Sequence, residues 1–465
     1  MAETMSAAAL DASALEQLRT EFRGEVVEPV DPSYDELRQV FNGMFDRKPR
    51  VILRPHGAAD VIRGIGLART SGLPLAIRGG GHSVAGFSSV DGGVVLDLRS
   101  MRGIRVDPKR RTVRVQAGLS WGDLDRETQA FGLAVTGGRV TTTGIVGFTL
   151  GTGSGWLERK LGFACDNLVS ADVVTADGEL VTASEDENEE LLWGLKGGGG
   201  NFGVVTEMEL RLAPLAPIVY AGLMAFDPAK GAEVVRTWRD LSHGSDDIGW
   251  AVGSVTAPPE PFVPEEWHGR RVVGVLGMSA GRHDEAEKVL APLRALGPIV
   301  DLWQPMPYTA IQGLIDGANP YGRQNYWRAH NLDGLDDATV DVFLEAAETC
   351  PSPFTAILLM NGGGAVGRIG EDAAAVSGRS APFNMHLNGM WEDPAANDEN
   401  IAWVKGVSAA LGSHIAPGIS LNFATEITDD AKAESWGSAK VERLRALKKR
   451  YDPENVFRLN QNIRP

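Results

Sequence analysis

Apolar runs and helical repeats predict alternating strands and helices in the first 215 residues. The segment RVILRP (50–55) has the continuous apolar run of a buried strand, and Pro55 ends it. Residues 57–72 place apolar side chains at helical spacing and close on Gly72, a residue type common after helix C-termini. The same criteria predict strands at 73–79, 92–98 and 111–118, and a helix at 120–132.

Glycine interrupts this pattern in clusters. The chain has 56 glycines, well above the average usage of about 7%, and they concentrate at 79–93, 137–155 and 194–203. Residues 136–167 are predicted to form short strands and turns, and residues 187–210 a helix, a glycine loop and a strand. Because glycine lets a ligand lie against bare backbone, the clusters indicate one large ligand.

The pattern changes after about residue 215. Helices predicted at 281–297 and 337–350 alternate with strands such as PFNMHLNGMW (382–391), and the chain ends in a helix, a turn and an amide-rich tail. We therefore divide the chain into a lead-in, a glycine-rich ligand domain, a smaller α+β cap and a C-terminal segment that returns to the ligand domain, at 1–20, 21–215, 216–418 and 419–465.

Charge and cysteine content narrow the possible partners and compartment. The formal net charge is -16, which disfavours nucleic-acid backbones and anionic membrane surfaces as partners. Cys165 and Cys350 can form neither a disulfide framework nor a CxxC pair. The N-terminal residues lack a secretory signal, and no apolar run approaches the ~20 residues that a membrane span needs. We therefore expect a cytoplasmic protein without nucleic-acid or membrane partners.

Two short segments match a hydrolase motif, but this signal is weak. Both 118–122 and 277–281 match the GxSxG pattern of hydrolases, and two matches in one glycine-rich chain show how easily it arises. Ser120 followed by Asp123 is better explained as a helix capping box. The chain also lacks metal-ligand spacings and the GxGxxG dinucleotide fingerprint, so neither a bound metal nor a nicotinamide cofactor is expected.

The loop IRGGGHSVAG (77–86) places three glycines and His82 after a predicted strand. Successive amide N–H groups in such a loop can form an anion-binding nest, with Arg78 at its edge. A tight hairpin turn with a solvated His82 is the alternative. The loop alone does not decide between a phosphate-bearing ligand and a simple turn.

Four segments in order resemble the berberine bridge enzyme-like flavoproteins of the vanillyl-alcohol oxidase superfamily. They are IRGGGHSVAGFSSVDGGVVLDLRSM, GWLERKLGFACDNLVSADVVTADG, LLWGLKGGGGNFGVVTEMEL and RYDPENVFRLNQNI, and the resemblance extends from about residue 20 to 465. It implies an α+β protein with a two-subdomain FAD-binding domain and an α+β substrate domain built on an antiparallel sheet. It also implies FAD joined covalently to His82 through the flavin 8α-methyl group.

The resemblance implies further cofactor contacts from the glycine stretches and the tail. Besides His82, these residues are Arg78, Gly79, Gly80, Gly81, Ser83, Gly86, Gly138, Val140, Thr141, Thr142, Thr143, Gly144, Gly147, Phe148, Gly151, Gly155, Cys165, Asn167, Asn201, Gly203, Val204, Asn460 and Asn462.

The chain departs from the family pattern at two places. Val140 stands where many relatives carry a cysteine that forms a second flavin link, and Cys165 lies outside that motif. A single link is therefore expected, with Cys165 packed near the cofactor. The segment Ser420-Leu421-Asn422-Phe423 has Phe423 where relatives often carry a tyrosine proton acceptor, so another base is needed.

Period-2 alternation along the strand at 382–391 places Asn384, His386 and Asn388 on one face. By the resemblance, His386 stands where the family has a base or polar substrate contact, and histidine suits proton transfer near pH 7. A histidine hydrogen-bonded under the sheet is the alternative. Tyr321 and Tyr326 are further candidates, or members of a surface aromatic cluster.

The resemblance implies a flavin oxidase. A hydride would pass from a C–H next to a hydroxyl or amine of a cyclic or aromatic secondary metabolite, and O2 would be reduced to H2O2. Thr143, where relatives have a small apolar residue that gates oxygen, keeps a dehydrogenase with another acceptor open. A carbohydrate oxidase and a flavin-holding protein without turnover also stay open. A homodimer stays open as the assembly.

Overall fold

A parallel sheet and an antiparallel sheet dominate the N-terminal half of the computed structural model, which describes residues 12–418, 421–426 and 428–465. The elements of this half are α1 (Ala12–Glu21), β1 (Glu25–Val27), α2 (Tyr34–Leu37), β2 (Val51–Arg54), α3 (Ala58–Thr70), β3 (Leu75–Arg78), β4 (Val94–Asp97), β5 (Ile104–Asp107), β6 (Thr112–Gln116), α4 (Trp121–Gln129), β7 (Leu133–Ala134), α5 (Ile145–Gly151), α6 (Glu158–Leu161), β8 (Leu168–Val174), β9 (Leu180–Ser184), α7 (Glu189–Leu195), β10 (Val204–Arg211) and β11 (Ala213–Pro214).

The first sheet has the order β1-β2-β4-β3, in which β2 and β3 both pair with β4 in parallel. A parallel pair needs a crossover, and α3 supplies one between β2 and β3. Val51, Ile52 and Leu53 are fully buried, as the apolar run predicts for a strand covered on both faces. The second sheet is antiparallel with the order β5-β6-β10-β8-β9, and its inner face joins the same apolar core.

The second half contains β12 (Ile218–Phe226), α8 (Gly231–Leu241), β13 (Ile248–Thr256), β14 (Arg271–Ser279), α9 (His283–Ala295), β15 (Val300–Asp301), β16 (Gln304–Pro307), α10 (Tyr308–Gln312), β17 (Gln324–Leu332), α11 (Asp337–Thr349), β18 (Ala356–Asn361), α12 (Ala365–Arg368), β19 (Phe383–Trp391), α13 (Asn397–Leu411), β20 (Ile415–Ala416), α14 (Asp429–Trp436) and α15 (Ser438–Tyr451). Short 3₁₀ turns link several of these elements.

A nine-stranded antiparallel sheet organises this half, in the order β15-β12-β14-β13-β18-β19-β17-β20 with β16 paired to β12. Helices α8, α9, α11 and α13 cover one face, where Trp238, Phe343 and Val404 pack with Met385 and Leu387 of β19. These helices leave the opposite face of β17, β18 and β19 uncovered. Together with the first half, this confirms the α+β class that the sequence resemblance implies.

Residues 136–167 differ from the sequence prediction, because they contain helices instead of short strands. The two helices are α5 and α6, and a 3₁₀ turn follows at Ala164–Asn167. The apolar residues of α5 are buried on several sides, and Asn422 packs against its last glycine, Gly151. Tertiary contacts therefore decide the local structure here, where glycine removes the usual helix and strand periodicity.

The C-terminal helix α15 packs against α7 and shares the core of the N-terminal half. The buried ammonium of Lys448 donates to the Asn201 carbonyl at 2.9 Å, to the Phe457 carbonyl at 2.8 Å and to Asp452 Oδ2 at 2.6 Å. One cation thus fixes both the glycine loop 197–203 and the tail. Within the described ranges, no helix is both long enough and apolar enough to cross a membrane.

Candidate active site

Two glycine-rich loops meet backbone to backbone after β3 and before α5. A Cβ added to Gly80 would lie 2.3 Å from the amide nitrogen of Gly144, and a Cβ on Gly144 would lie 2.3 Å from that of Gly80. Gly81 has φ of +76°, which favours glycine. The close approach of the two loops therefore requires glycine at position 80 of the IRGGGHSVAG loop, and the positive φ favours glycine at position 81.

A cavity of about 330 Å³ lies between these loops and the uncovered face of the nine-stranded sheet. We call the cavity-lining part of 79–83, 138–151, 199–204 and Asn460 the loop wall, and Trp327, Leu358, Met360, His386 and Asn388 the sheet wall. Sixteen of the sequence-predicted site residues line it: Gly79, Gly80, Gly81, His82, Ser83, Gly138, Val140, Thr143, Gly144, Gly147, Phe148, Gly151, Gly203, Val204, His386 and Asn460.

His82 is held in a defined orientation on the loop wall. Its ring stacks on Phe41 with centroids 4.4 Å apart, and Tyr321 meets it edge-on at 5.2 Å. Its Nε2 lies 2.8 Å from the hydroxyl oxygen of Thr142. Burial lowers the pKa of His82 to about 4, so the imidazole is neutral at pH 7 and keeps a lone pair for bonding.

Arg78, expected at the phosphates, turns its side chain away from the cavity. Its guanidinium is fully buried and donates to the carbonyls of Ser88, at 3.1 Å, and of Leu37 and Arg38. Asp97 lies 3.8 Å away. Burial lowers the pKa of Arg78 to about 10, which leaves it charged at pH 7. Arg78 therefore braces the base of the loop.

Cys165 and Asn167 lie outside the cavity lining and contact residues of their own segment. Cys165 is fully buried, does not line the cavity and has its thiol 4.0 Å from Asp166 Oδ1. Burial raises the pKa of this thiol well above its ordinary value, which makes it unreactive. Asn167 donates its amide to the carbonyls of Leu161 and Phe163.

Asn201 and Asn462 also lie outside the cavity lining. Asn201 is fully buried, donates to the Gly198 carbonyl at 2.7 Å and accepts the backbone N–H of Ile463 at 3.0 Å. It therefore ties the glycine loop to the tail. Asn462 lies beside α14, where its carbonyl accepts from Lys432 at 3.1 Å.

Three other residues expected to contact the cofactor also lie outside the cavity lining, and each contacts a neighbouring segment of the chain. Thr141 donates its backbone N–H to Asp316 Oδ1 at 2.8 Å, which joins the loop wall to the segment before β17. Gly155 donates its N–H to Glu158 at 3.0 Å. Gly86 has φ of +71° beneath the Phe45 ring.

The sheet wall is organised by the alternation of β19 and its neighbours. His386 lies opposite Leu358 of β18 and Ala329 of β17, and it is almost fully buried. Its ring lies 4.4 Å from that of Phe423. Burial, with smaller contributions from Arg139 and His330, lowers the pKa of His386 to about 3. The imidazole is therefore neutral at pH 7.

The other catalytic candidates occupy different positions. Tyr326 lies on the helix-covered face of the sheet, opposite the cavity, and donates its hydroxyl to Glu426 at 2.8 Å. Tyr321 donates to the Gly80 carbonyl at 2.8 Å, which places it beside His82. Asn384 shares the face of His386 but does not line the cavity. Ser420, named with Phe423 in the tail motif, lies outside the described residues.

Sequence reasoning missed several lining residues. Phe41, which stacks on His82, lies in a coil with no motif to mark it. Trp327 could have been found, because alternation along β17 places it on the face opposite Tyr326. Arg139 lines the cavity from within a stretch whose glycines are its most conspicuous feature.

The loop wall suits a large ligand that binds to backbone. A Cβ on Gly147 or Gly200 would meet no atom within 4 Å, so both glycines leave open space beside the cavity. Asn460 Oδ1 and Asn388 Oδ1 are buried without a hydrogen-bond partner among the described residues. Open backbone and unpaired buried acceptors fit a flavin dinucleotide. The described residues contain no His, Cys, Asp or Glu cluster that could hold a metal.

Comparison with known proteins agrees with this fit. A family model described as FAD binding domain matches residues 49–184, and another described as berberine and berberine like matches residues 420–464. (R)-6-hydroxynicotine oxidase from Paenarthrobacter nicotinovorans is 32% identical over 95% of this chain and 97% of its own length. The FAD-linked oxidoreductase YgaK from Bacillus subtilis is 29% identical over 96% of this chain and 98% of its own.

The structural likeness covers both walls of the cavity. The solved structure of 6-hydroxy-D-nicotine oxidase from Arthrobacter nicotinovorans has a TM-score of 0.85 with 29% identity, over 96% of this chain and 98% of that one. The similarity in sequence and in structure extends over nearly the whole chain, so it includes the loops, the sheet and the tail. The chain belongs to the berberine bridge enzyme-like family of FAD-dependent oxidoreductases.

Proposed function

We propose that this FAD-dependent oxidoreductase is an oxidase with FAD joined covalently to His82. In this proposal it oxidises a C–H next to a hydroxyl or amine of a cyclic or aromatic molecule, and O2 is the electron acceptor. One observation carries the proposal: His82 on the loop wall and His386 on the sheet wall line the same cavity. This arrangement supports a substrate space between the proposed cofactor attachment and the proposed proton acceptor.

Bound FAD supplies a two-electron acceptor for the substrate hydride. His386 accepts the proton of the adjacent hydroxyl or amine on a ring nitrogen. Its lowered pKa keeps it neutral and able to accept, and makes it a weak base. Proton transfer is therefore coupled to hydride loss, because the oxidised carbon makes the neighbouring O–H or N–H far more acidic.

The sheet wall favours a flat, mostly apolar substrate. Trp327, Met360 and Phe423 line the same cavity as His386 and give this wall an apolar surface. Asn388 adds one amide, whose Oδ1 has no partner among the described residues and is free to accept a hydrogen bond. One imidazole and one amide in an apolar wall match a ring with one or two polar groups. A sugar would need more hydrogen-bonding partners than this wall offers.

The test of attachment uses the flavin colour. Wild-type protein and the variants His82→Ala and Cys165→Ser are precipitated with acid, and the flavin absorbance near 450 nm is recorded in pellet and supernatant. Colour should stay with the wild-type and Cys165→Ser pellets and leave the His82→Ala pellet. Colour retained by His82→Ala would reject the single link, and its loss from Cys165→Ser would reject the role given to Cys165. Peroxide release then serves to screen ring alcohols and amines.

One observation favours a dehydrogenase as the second candidate. Thr143 lines the cavity, and by resemblance it stands where relatives place a small apolar residue that gates oxygen. A hydroxyl there would hinder oxygen access. The photoreduced enzyme is mixed with air-saturated buffer in a stopped-flow instrument, for wild type and Thr143→Ala. Rapid reoxidation of wild type supports the oxidase, whereas slow reoxidation that Thr143→Ala accelerates supports the dehydrogenase.

A further inference from the structure

Arg139 is the only formally charged side chain among the described residues that line the cavity. The rest of the lining is glycine, apolar side chains, neutral polar groups and the two histidines, whose pKa values burial lowers. A single guanidinium in such surroundings interacts strongly with an anion, because little water screens it. The contacts of Arg139 show whether the protein alone provides acceptors for all of its hydrogen-bond donors.

The contacts of Arg139 leave part of the guanidinium unpaired. Its Nη1 donates to the carbonyl and the hydroxyl oxygen of Ser154, each at 3.2 Å. Its Cζ lies 4.5 Å from the centre of the Trp156 ring, and its Nη2 is 4.0 Å from Glu158 Oε2. Its Nε is buried and has no hydrogen-bond partner among the described residues. Its Nη2 has no hydrogen-bond acceptor among the described residues and is the donor left for a ligand, whereas the enclosed Nε is not.

Glu158 compensates the positive charge of Arg139 only in part. The 4.0 Å separation is too long for a hydrogen bond, and Oε2 already accepts the Gly155 N–H at 3.0 Å. Burial raises the pKa of Glu158 and lowers that of Arg139, as expected for a pair whose attraction does not fully offset desolvation. The carboxylate therefore competes only weakly for the guanidinium and leaves most of its positive charge available to a ligand.

Arg139 lies beside the nine-stranded sheet, through its contact with Trp156. Its charge contributes to the lowered pKa of His386, so the guanidinium is close enough to influence the proposed proton acceptor. Trp156, beneath the guanidinium, packs through its backbone against Gly249 of β13 in the nine-stranded sheet. The cation thus lies where the loop wall meets the sheet wall.

We propose that Arg139 is a specificity-determining residue that binds an anionic oxygen of the substrate, either a carboxylate or an acidic phenol or enol. This rests on the proposed function, because it assumes that the reacting ring lies beside His386. The guanidinium would supply a charge-assisted hydrogen bond from Nη2. It would also attract an anion into a protein whose net charge is -16.

The test is a binding measurement that needs no turnover. Benzoate and benzamide are a charged and a neutral probe of nearly the same shape, and each is titrated into the flavin-loaded enzyme. Binding is followed by the flavin difference spectrum, for wild type, Arg139→Gln, Arg139→Lys and Glu158→Gln. We expect wild type to bind benzoate about tenfold or more tightly than benzamide, as a charge-assisted hydrogen bond predicts.

The variants assign that preference to the guanidinium. Arg139→Gln should bring the benzoate-to-benzamide ratio close to one, mainly by weakening benzoate, and Arg139→Lys should keep part of it. Glu158→Gln should keep or increase the ratio, because it removes a competing carboxylate. A flavin-loaded wild type without the preference, or an Arg139→Gln variant that retains it, would overturn the inference and leave the proposed function standing.

The acceptor for Arg139 could also be a carbonyl oxygen of the flavin. In that case Arg139→Gln would shift the flavin midpoint potential and the spectrum of the probe-free enzyme, and the ratio of the two probes would not change. That result overturns the assignment to substrate. A wild-type protein that retains no flavin would overturn both the proposed function and this inference, and it is recognised before any probe is added.

Discussion

The two walls of the cavity are built from different parts of the amino acid. The loop wall uses backbone: Gly80 and Gly144 touch each other, while Gly147 and Gly200 leave open space beside the cavity. The sheet wall uses side chains that project from neighbouring strands, such as Met360, His386 and Asn388. Contacts from backbone do not depend on side-chain identity, so they suit a constant cofactor. Side chains on a fixed sheet can change with the substrate.

This difference explains how each wall tolerates change. At Gly80 and Gly144 an added Cβ would lie 2.3 Å from the facing backbone, so substitution there affects folding and cofactor binding together. A side chain on the sheet wall can be exchanged without moving the strand that carries it, because the ladder bonds come from backbone. Substitutions in the two walls should therefore separate cofactor retention from turnover.

The largest effect is expected where the loop wall is anchored. Lys448→Met leaves the buried carboxylate of Asp452 unpaired and removes hydrogen bonds to the Asn201 and Phe457 carbonyls. We expect a loss of about 3–5 kcal/mol in the free energy of unfolding, with reduced flavin retention. Urea unfolding and flavin content measure this, and Lys449→Met, at an exposed neighbour, is the control. Equal stability of the two variants would contradict the anchor.

A substitution in the sheet wall should lower turnover and leave flavin retention unchanged. His386→Gln removes the proposed proton acceptor and keeps a polar side chain, so turnover should fall about 100-fold while flavin content stays unchanged. The readouts are kcat with a substrate identified by peroxide release and absorbance near 450 nm. His243→Gln, at an exposed histidine, is the matched control. Full activity of His386→Gln would move the base elsewhere, with Tyr321 the next candidate.

Gly80→Ala sharpens the contrast within the loop wall. The added methyl would overlap the Gly144 backbone, and overpacking of this kind costs about 2 kcal/mol. Flavin retention should fall with stability. Gly66→Ala in α3, where an added Cβ meets no atom within 4 Å, should instead stabilise the protein slightly. If calorimetry ranks the two variants equally, the close approach of the loops does not matter.

Sequence patterns located the elements better than they located side chains. The strand at 50–55 and the helix at 57–72 closely match β2 and α3, because a buried apolar run and a helical repeat are local signals. The pattern predicts strands and turns across 145–151, since the helical structure there depends on burial against distant residues such as Asn422. Local signals fail where tertiary contacts decide the conformation.

The candidate site shows the same limit. The glycine motifs identified most of the loop wall, because a required close approach leaves a mark in the sequence. The motif did not show that Arg78 turns to the carbonyls of Leu37 and Ser88, nor that Phe41 stacks on His82. On the sheet wall, alternation placed His386 and Asn388 together, but their neighbours come from other strands whose register the sequence does not reveal.

The last predicted effect depends on pH and lies where α4 and α10 join the two halves. Asp125 is buried on α4, and Gln312 of α10 donates to its Oδ2 at 2.9 Å and lies 3.4 Å from the cavity-lining Gly138 carbonyl. Burial raises the pKa of Asp125 to about 7, against about 4 in an unfolded chain. Between these values the folded protein holds a proton that the unfolded chain has lost.

Stability should therefore fall as pH rises from about 4 to about 7, by at most about 1.4 kcal/mol per pH unit from this group, and level off above it. Asp125→Asn is neutral throughout and should lack this slope, so its stability relative to wild type should increase with pH. Urea unfolding at about pH 5, 6, 7 and 8 measures the difference, with Glu127→Gln on the exposed face of α4 as control. Parallel curves for wild type and Asp125→Asn would mean that the carboxyl is already ionised in the folded state. The contact between the two halves would then depend on the Gln312 hydrogen bond alone and be insensitive to pH.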